Sequence, residues 1–201
     1  MHVTPSSIAA IVIALSFAAG LNVYATVMSL GLMARLHWVA LPPGLESLQN
    51  PWIIGSSALL FAGEFVADKI PGFDLFWNAL HTFIRIPVAA LLAYAASSHL
   101  SPELQLLITC IGAAFATIAH SSKTALRVAV TPSPEPVSNV ALSTAEDGLS
   151  MGVVWVALHH PWIAASTVLA LSIAGVIMML LSFHLLRKAF HRLRNQLREA
   201  F

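Results

Sequence analysis

The chain has 201 residues, 58% of them hydrophobic and 9% charged, with a mean hydropathy of +0.81. A soluble domain carries about a quarter charged residues, so this composition excludes a chain covered by a polar surface and makes the class an integral membrane protein. The formal net charge of +1 points to no partner, because the charges are unevenly placed. The one cysteine, Cys110, excludes an internal disulfide and reads as a small core residue.

A span needs about 20 apolar residues. The first apolar run starts near Ile8 with no Lys or Arg before it, so it reads as a retained helix from Ser6 to Leu36 and not a cleaved signal. Gly20-Leu21-Asn22 near its middle marks a bend or break. A second span is expected from Pro51 to Asp68, with Pro at the first helical position and Trp52 at the interface. The third runs from Asp74 to Ser98, the fourth from Pro102 to Thr131, the fifth and least apolar from Val137 to Leu158, and the sixth from Pro161 to Leu186.

Six spans put both termini on one side. Lys69, Lys123, Arg127, Arg187, Lys188, Arg192, Arg194 and Arg198 then share that side, against Arg35 on the other. Basic residues mark the cytoplasmic side, so both ends are expected in the cytoplasm and the chain in a bacterial inner membrane. Residues 1–186 form the membrane domain. Residues 187–201 form a basic amphipathic tail, with Leu186, Phe190, Leu193, Leu197 and Phe201 on one face, suited to the inner leaflet.

Two polar stripes cross this apolar background. Asp74, Asn78, His81 and Arg85 are spaced four, three and four residues apart, hence on one helical face; so are Asn139, Ser143, Glu146 and Ser150, with Asp147 beside them. At 1.5 Å per residue, Arg85 lies about 16 Å and Glu146 about 13 Å along their helices, so opposite charges sit at similar depth. A lone Arg at the bilayer centre costs at least about 3 kcal/mol, which makes Glu146 or Asp147 the expected partner of Arg85. A second polar group gathers at inner span ends: Glu64 and Asp68 one turn apart, with Lys69, then His120, Lys123 and Arg127. For Glu64 the plainer reading is a helix cap or a local pair with Lys69. For Asn22, Tyr24 and Thr26, helix packing competes with carbonyls exposed to a cavity.

The segments GLNVYATV, LPPGLE, NPWII, EFVADKIPG, WNALHTFIRIP and SPEPVSN with the later ED together resemble an uncharacterised bacterial family of small multi-pass membrane proteins, known as a domain of unknown function. That resemblance spans about Gly20 to Asp147 and implies no activity. EFVADKI and AEDGLSMG, one in each half, look like the paired acidic motifs of three-plus-three-span cation exporters. Those families pack acid, glycine and Asp-Lys more tightly than Gly63, Glu64 and Asp68 are packed here. Three spans followed by three have opposite topology, the arrangement of a three-plus-three inverted repeat. PWIIGSSALLFAG (51–63) is similar to PWIAASTVLALSIAG (161–175), but that match pairs span two with span six, out of the order such a repeat requires, and reads as two similar helix starts.

No glycine-rich phosphate loop, H-E-x-x-H, paired cysteines or G-x-S-x-G occurs in the sequence. The expectation is therefore no enzyme, no cofactor and no nucleic-acid partner. His159-His160 read as interface histidines. The expected function is a small homo-oligomeric transporter or channel in contact with membrane lipids, moving or coupled to a proton or cation. Glu146 and Asp147 would bind it, and Arg85 and His81 would supply counter-charge beside Asn78, Asn139, Ser143 and Ser150. Glu64, Asp68, Lys69, Asp74, His120, Lys123 and Arg127 would form a cytoplasmic gate. Two alternatives stand beside it: an anion or lipid-phosphate path through Arg85, His81, Lys123 and Arg127, and a non-transporting scaffold in which the ion pair fixes helix register.

Overall fold

A computed structural model describes residues 4–70, 73–130 and 136–199. Among these are seven α-helices and no strand: α1 (Pro5–Leu21), α2 (Val23–Arg35), α3 (Pro51–Ala67), α4 (Phe73–Ala96), α5 (Pro102–Val130), α6 (Pro136–His159) and α7 (Pro161–Glu199). Five of them begin with proline, whose missing N–H is already an orphan in the first turn. Thr4 and Asn50 complete two of these starts, accepting the backbone N–H of Ser7 at 3.2 Å and Trp52 at 2.9 Å. The spans expected after residue 50 fall within a few residues of α3 to α7. The tail expected from residue 187 continues α7 without a break to Glu199.

Contacts between helices fix their directions. Val12 and Ser16 of α1 lie against Gly112 of α5, and Gly20 lies against Ala116 and Ala119, so the two helices run parallel. Ala93 of α4 also meets Gly112, whereas Thr82 meets His120, so α4 runs opposite to α5. Beyond Asn22 the chain turns back. Tyr24 reaches His81, and Gly31 meets Leu48 and Ile54, while Pro43 and Gly44 sit against Ser98 at the far end of α4. Hence α1 and α2 form a hairpin with Asn22 at its apex, and α3 to α7 alternate in direction beside it.

This corrects the six-crossing reading. The break at Asn22 reverses the chain instead of bending it, because one extended residue (φ −149°, ψ 104°) separates the helices. The start of α1 and the end of α7 therefore lie at opposite ends of the bundle, and the expectation of both termini on one side fails.

The exterior is apolar. Leu59, Phe76, Phe83, Leu106 and Phe183 are exposed large hydrophobics, and Phe76–Ala96, Pro102–Arg127 and Pro161–His184 are long and apolar enough to cross a membrane. Cys110 is exposed on the outside of α5, contrary to a core position, because its face of the helix points away from α1. Trp38, Trp52, Trp155 and Trp162 are all exposed at the end holding the α6–α7 turn, and His159 stacks on Trp155 there. Such a ring of tryptophans matches the aromatic belt found at bilayer interfaces. The core is built around α1, apolar on all sides and packed against α4, α5, α6 and α7. Close approach to α5 needs Gly20, since a Cβ there would collide with the Ala116 carbonyl. Gly44 (φ +91°) makes the turn under the end of α4, where only glycine fits.

Candidate functional site

Breaking a helix inside an apolar bundle frees backbone groups that need partners. At the hairpin apex, the Leu21 carbonyl ending α1 accepts the Lys123 ammonium at 3.2 Å. At the start of α2, the Asn22 side chain does two jobs: its oxygen accepts Ala25 N–H at 2.9 Å, and its amide donates to Asp147 Oδ1 at 2.8 Å. A cation thus meets the negative end of one helix and a carboxyl group the positive end of the next, the favourable sense for both dipoles. Hydroxyls fill the remaining space. Thr26 Oγ1 donates to the Asn22 carbonyl at 2.8 Å, and Ser150 Oγ donates to the Ala18 carbonyl at 3.1 Å.

Around this apex lies a cluster of charges enclosed by the bundle. Glu64 on the last turn of α3 pairs with Arg85 of α4, both fully buried. Asp68, which ends α3, accepts Lys123 Nζ at 2.9 Å and Arg127 Nη2 at 3.0 Å. Arg127 also donates to the Asp68 carbonyl at 2.8 Å and to Glu146 Oε2 at 2.7 Å. Lys123 is the hub, 3.4 Å from Glu146 and 3.6 Å from Glu64 besides its bond to Asp68. Its ammonium therefore ties α1 and α5 to the acids of α3 and α6.

The histidines complete the inner wall. Arg85 Nη1 donates to Asn78 Oδ1 at 2.8 Å and to His120 Nδ1 at 3.1 Å. Since a guanidinium only donates, the ring hydrogen of His120 is on Nε2, facing Thr82 Oγ1 at 2.7 Å. His81 donates from Nδ1 to the Trp77 carbonyl at 2.8 Å, and its Nε2 lies 3.2 Å from the Tyr24 hydroxyl.

Several sequence expectations change here. Arg85 pairs with Glu64 and not with Glu146 or Asp147, because the end of α3 lies beside α4, while the acids of α6 face α1 and α5. Glu64 does not pair with Lys69, whose ammonium sits over the Phe65 ring and donates to the Phe65 carbonyl at 3.0 Å, outside the cluster. The expected ion site and the expected gate are one cluster: Glu64, Asp68, Arg85, His120, Lys123 and Arg127 adjoin Glu146, Asp147, His81 and Asn78. Ser143 is buried on the same face of α6, its hydroxyl without a hydrogen-bond partner among the described residues. The side chains of Asp74 and Asn139 lie outside those described.

Sequence reasoning underrated Asn22, the residue that joins the break to Asp147. An Asn two residues after a glycine, inside an otherwise apolar run, was the signal available. Asp147 differs from the other acids. Among the described residues no base lies within ion-pair distance, and its Oδ2 has no hydrogen-bond partner.

An apolar exterior around a buried charged interior, organised on a broken helix, is compatible with a polytopic membrane bundle with an internal polar site. The chain belongs to the family described as a domain of unknown function, DUF4126, which matches residues 9–181. No curated protein and no solved structure matches it.

Proposed function

We propose that the protein is a small membrane transporter whose coupling proton or cation is taken up at Asp147. The observation that carries this reading is the helix break at Asn22, held between Lys123 and Asp147 within a buried cluster. Discontinuous helices with charged partners at their broken ends are a recurring substrate and ion site in secondary transporters. An ionised carboxylate without a base is costly inside a bundle, and binding a proton or cation removes that cost. Charge change at Asp147 would then redistribute Lys123 and Arg127 among Asp68, Glu64 and Glu146, loosening α6 against the hairpin. The anion path gains no support, since Arg85, Lys123 and Arg127 each face a carboxylate.

The basic residues Arg187, Lys188 and Arg194 at the far end of α7, against Arg35 at the opposite end, support a cytoplasmic tail in a bacterial inner membrane. Seven helices of which one is enclosed leave little lumen in a single copy, which supports a homo-oligomer. The test is flux in proteoliposomes of wild type, Asp147→Asn and Arg85→Gln. Proton or cation flux that Asp147→Asn abolishes in a folded protein is the expected result. No flux of any proton, cation or anion by the folded wild type would overturn the reading in favour of a scaffold.

A further inference from the structure

Between α1, α5, α6 and α7 lies a cavity of about 240 Å³ whose walls are Phe17, Leu21, Leu126, Leu142 and Leu171. It opens on the side of the bundle, where Leu149 and Met178 of its rim are 38% exposed. Its polar lining is Ser122, Lys123 and Glu146, of which the last two are charged. The two are not equivalent as ligands. Lys123 is committed to Asp68, the Leu21 carbonyl and the neighbouring carboxylates. Glu146, 6% exposed, uses Oε2 for Arg127, while its Oε1 has no hydrogen-bond partner among the described residues. The apolar vestibule therefore leads to a carboxylate whose second oxygen is enclosed and unused, to be presented by a turn of the Glu146 side chain, and it opens on the side of the bundle.

We infer that this cleft binds an amphipathic organic cation, with its apolar body between α6 and α7 and its ammonium group on Glu146. The match is one of charge and polarity. A neutral apolar ligand would leave Glu146 Oε1 without a hydrogen bond, and an anion would meet that carboxylate while Lys123 and Arg127 are already held by Asp68 and Glu146. An apolar body reaches the site from the lipid through the open side, without crossing the tryptophan end. The cleft thereby gives the charged cluster a substrate class, and only the transport step after binding rests on the transporter reading.

The test is equilibrium binding of benzyltrimethylammonium to the protein in nanodiscs, by calorimetry, without any gradient. Benzenesulfonate, of similar size and opposite charge, is the control. The expected result is saturable binding of the cation alone, weakened at least about tenfold by Glu146→Gln and abolished by Leu149→Trp, which fills the cleft from an exposed position and spares the cluster. Binding unchanged in both variants, or no binding to the folded wild type, would overturn the inference. Displacement of the probe by phosphatidylethanolamine with no dependence on Glu146 would also overturn it, making the cleft a lipid site. Intact binding without flux would remove the transport reading and leave this one standing.

Discussion

The two ends of α1 are held by different physics. From Ile8 to Ala19 the helix is locked by shape: alanines and Gly112 let α5 approach, and Gly20 lies directly on the Ala116 backbone. At Leu21 and Asn22 shape gives way to charge, with Lys123 on one side of the break and Asp147 on the other. Lipid tails are as apolar as leucine, so packing alone sets how close helices come and polar contacts set where they stop. The first region fixes distance. The second fixes the place at which the chain reverses.

Substitutions separate the two. The largest effect is expected from Arg85→Leu, which leaves buried Glu64 with only the more distant Lys123 at 3.6 Å and should cost about 3–5 kcal/mol. Thermal unfolding in nanodiscs measures it, and the double variant with Glu64→Leu should recover most of the loss. A double variant no better than the single one would break the assigned pair. Next comes Gly20→Val in the shape-locked region, where the added carbons meet the Ala116 carbonyl and cost about 1–3 kcal/mol. The same unfolding assay should show this loss unchanged by salt or pH. Asn22→Ala removes a helix cap and the donor to Asp147, worth about 1–2 kcal/mol, and proteolysis near the apex should then increase. The smallest effect belongs to Lys69→Ala, within about 0.5 kcal/mol, because Lys69 lies outside the cluster. A large loss there would extend the charged region beyond its present boundary.

Much of the fold was legible because proline writes helix starts. Pro51, Pro102 and Pro161 each open a helix where expected, and Pro136 opens α6 one residue ahead of the expected Val137. The face of each polar stripe was legible too, since His81 and Arg85, or Glu146 and Ser150, must share a side. What periodicity lacks is the identity of the neighbour. Depth along the helices matched Arg85 with Glu146 and put Glu64 in a separate group at the inner span ends, and only the packing of α3 on α4 brings Glu64 to Arg85. The reversal at Asn22 was hidden for another reason. Gly20 and Asn22 announce an interruption, yet one extended residue serves equally for a bend and a return, and the count of basic residues had assumed a straight crossing. Cys110 misled because an apolar environment in this protein includes the lipid as well as the core.

The enclosed hairpin also orders the protein's assembly in time. Asn22 and its partner Asp147 are 125 residues apart in the chain, and Lys123 follows Leu21 by 102. A ribosome adding roughly 5–20 residues each second delivers the hairpin many seconds before either partner exists. During that interval α1 and α2 have an unanswered break and an unoccupied polar apex. A hairpin made before its partners is thus closed in only later, and newly inserted chains depend on the arrival of α5 and α6 to become a single cooperative unit.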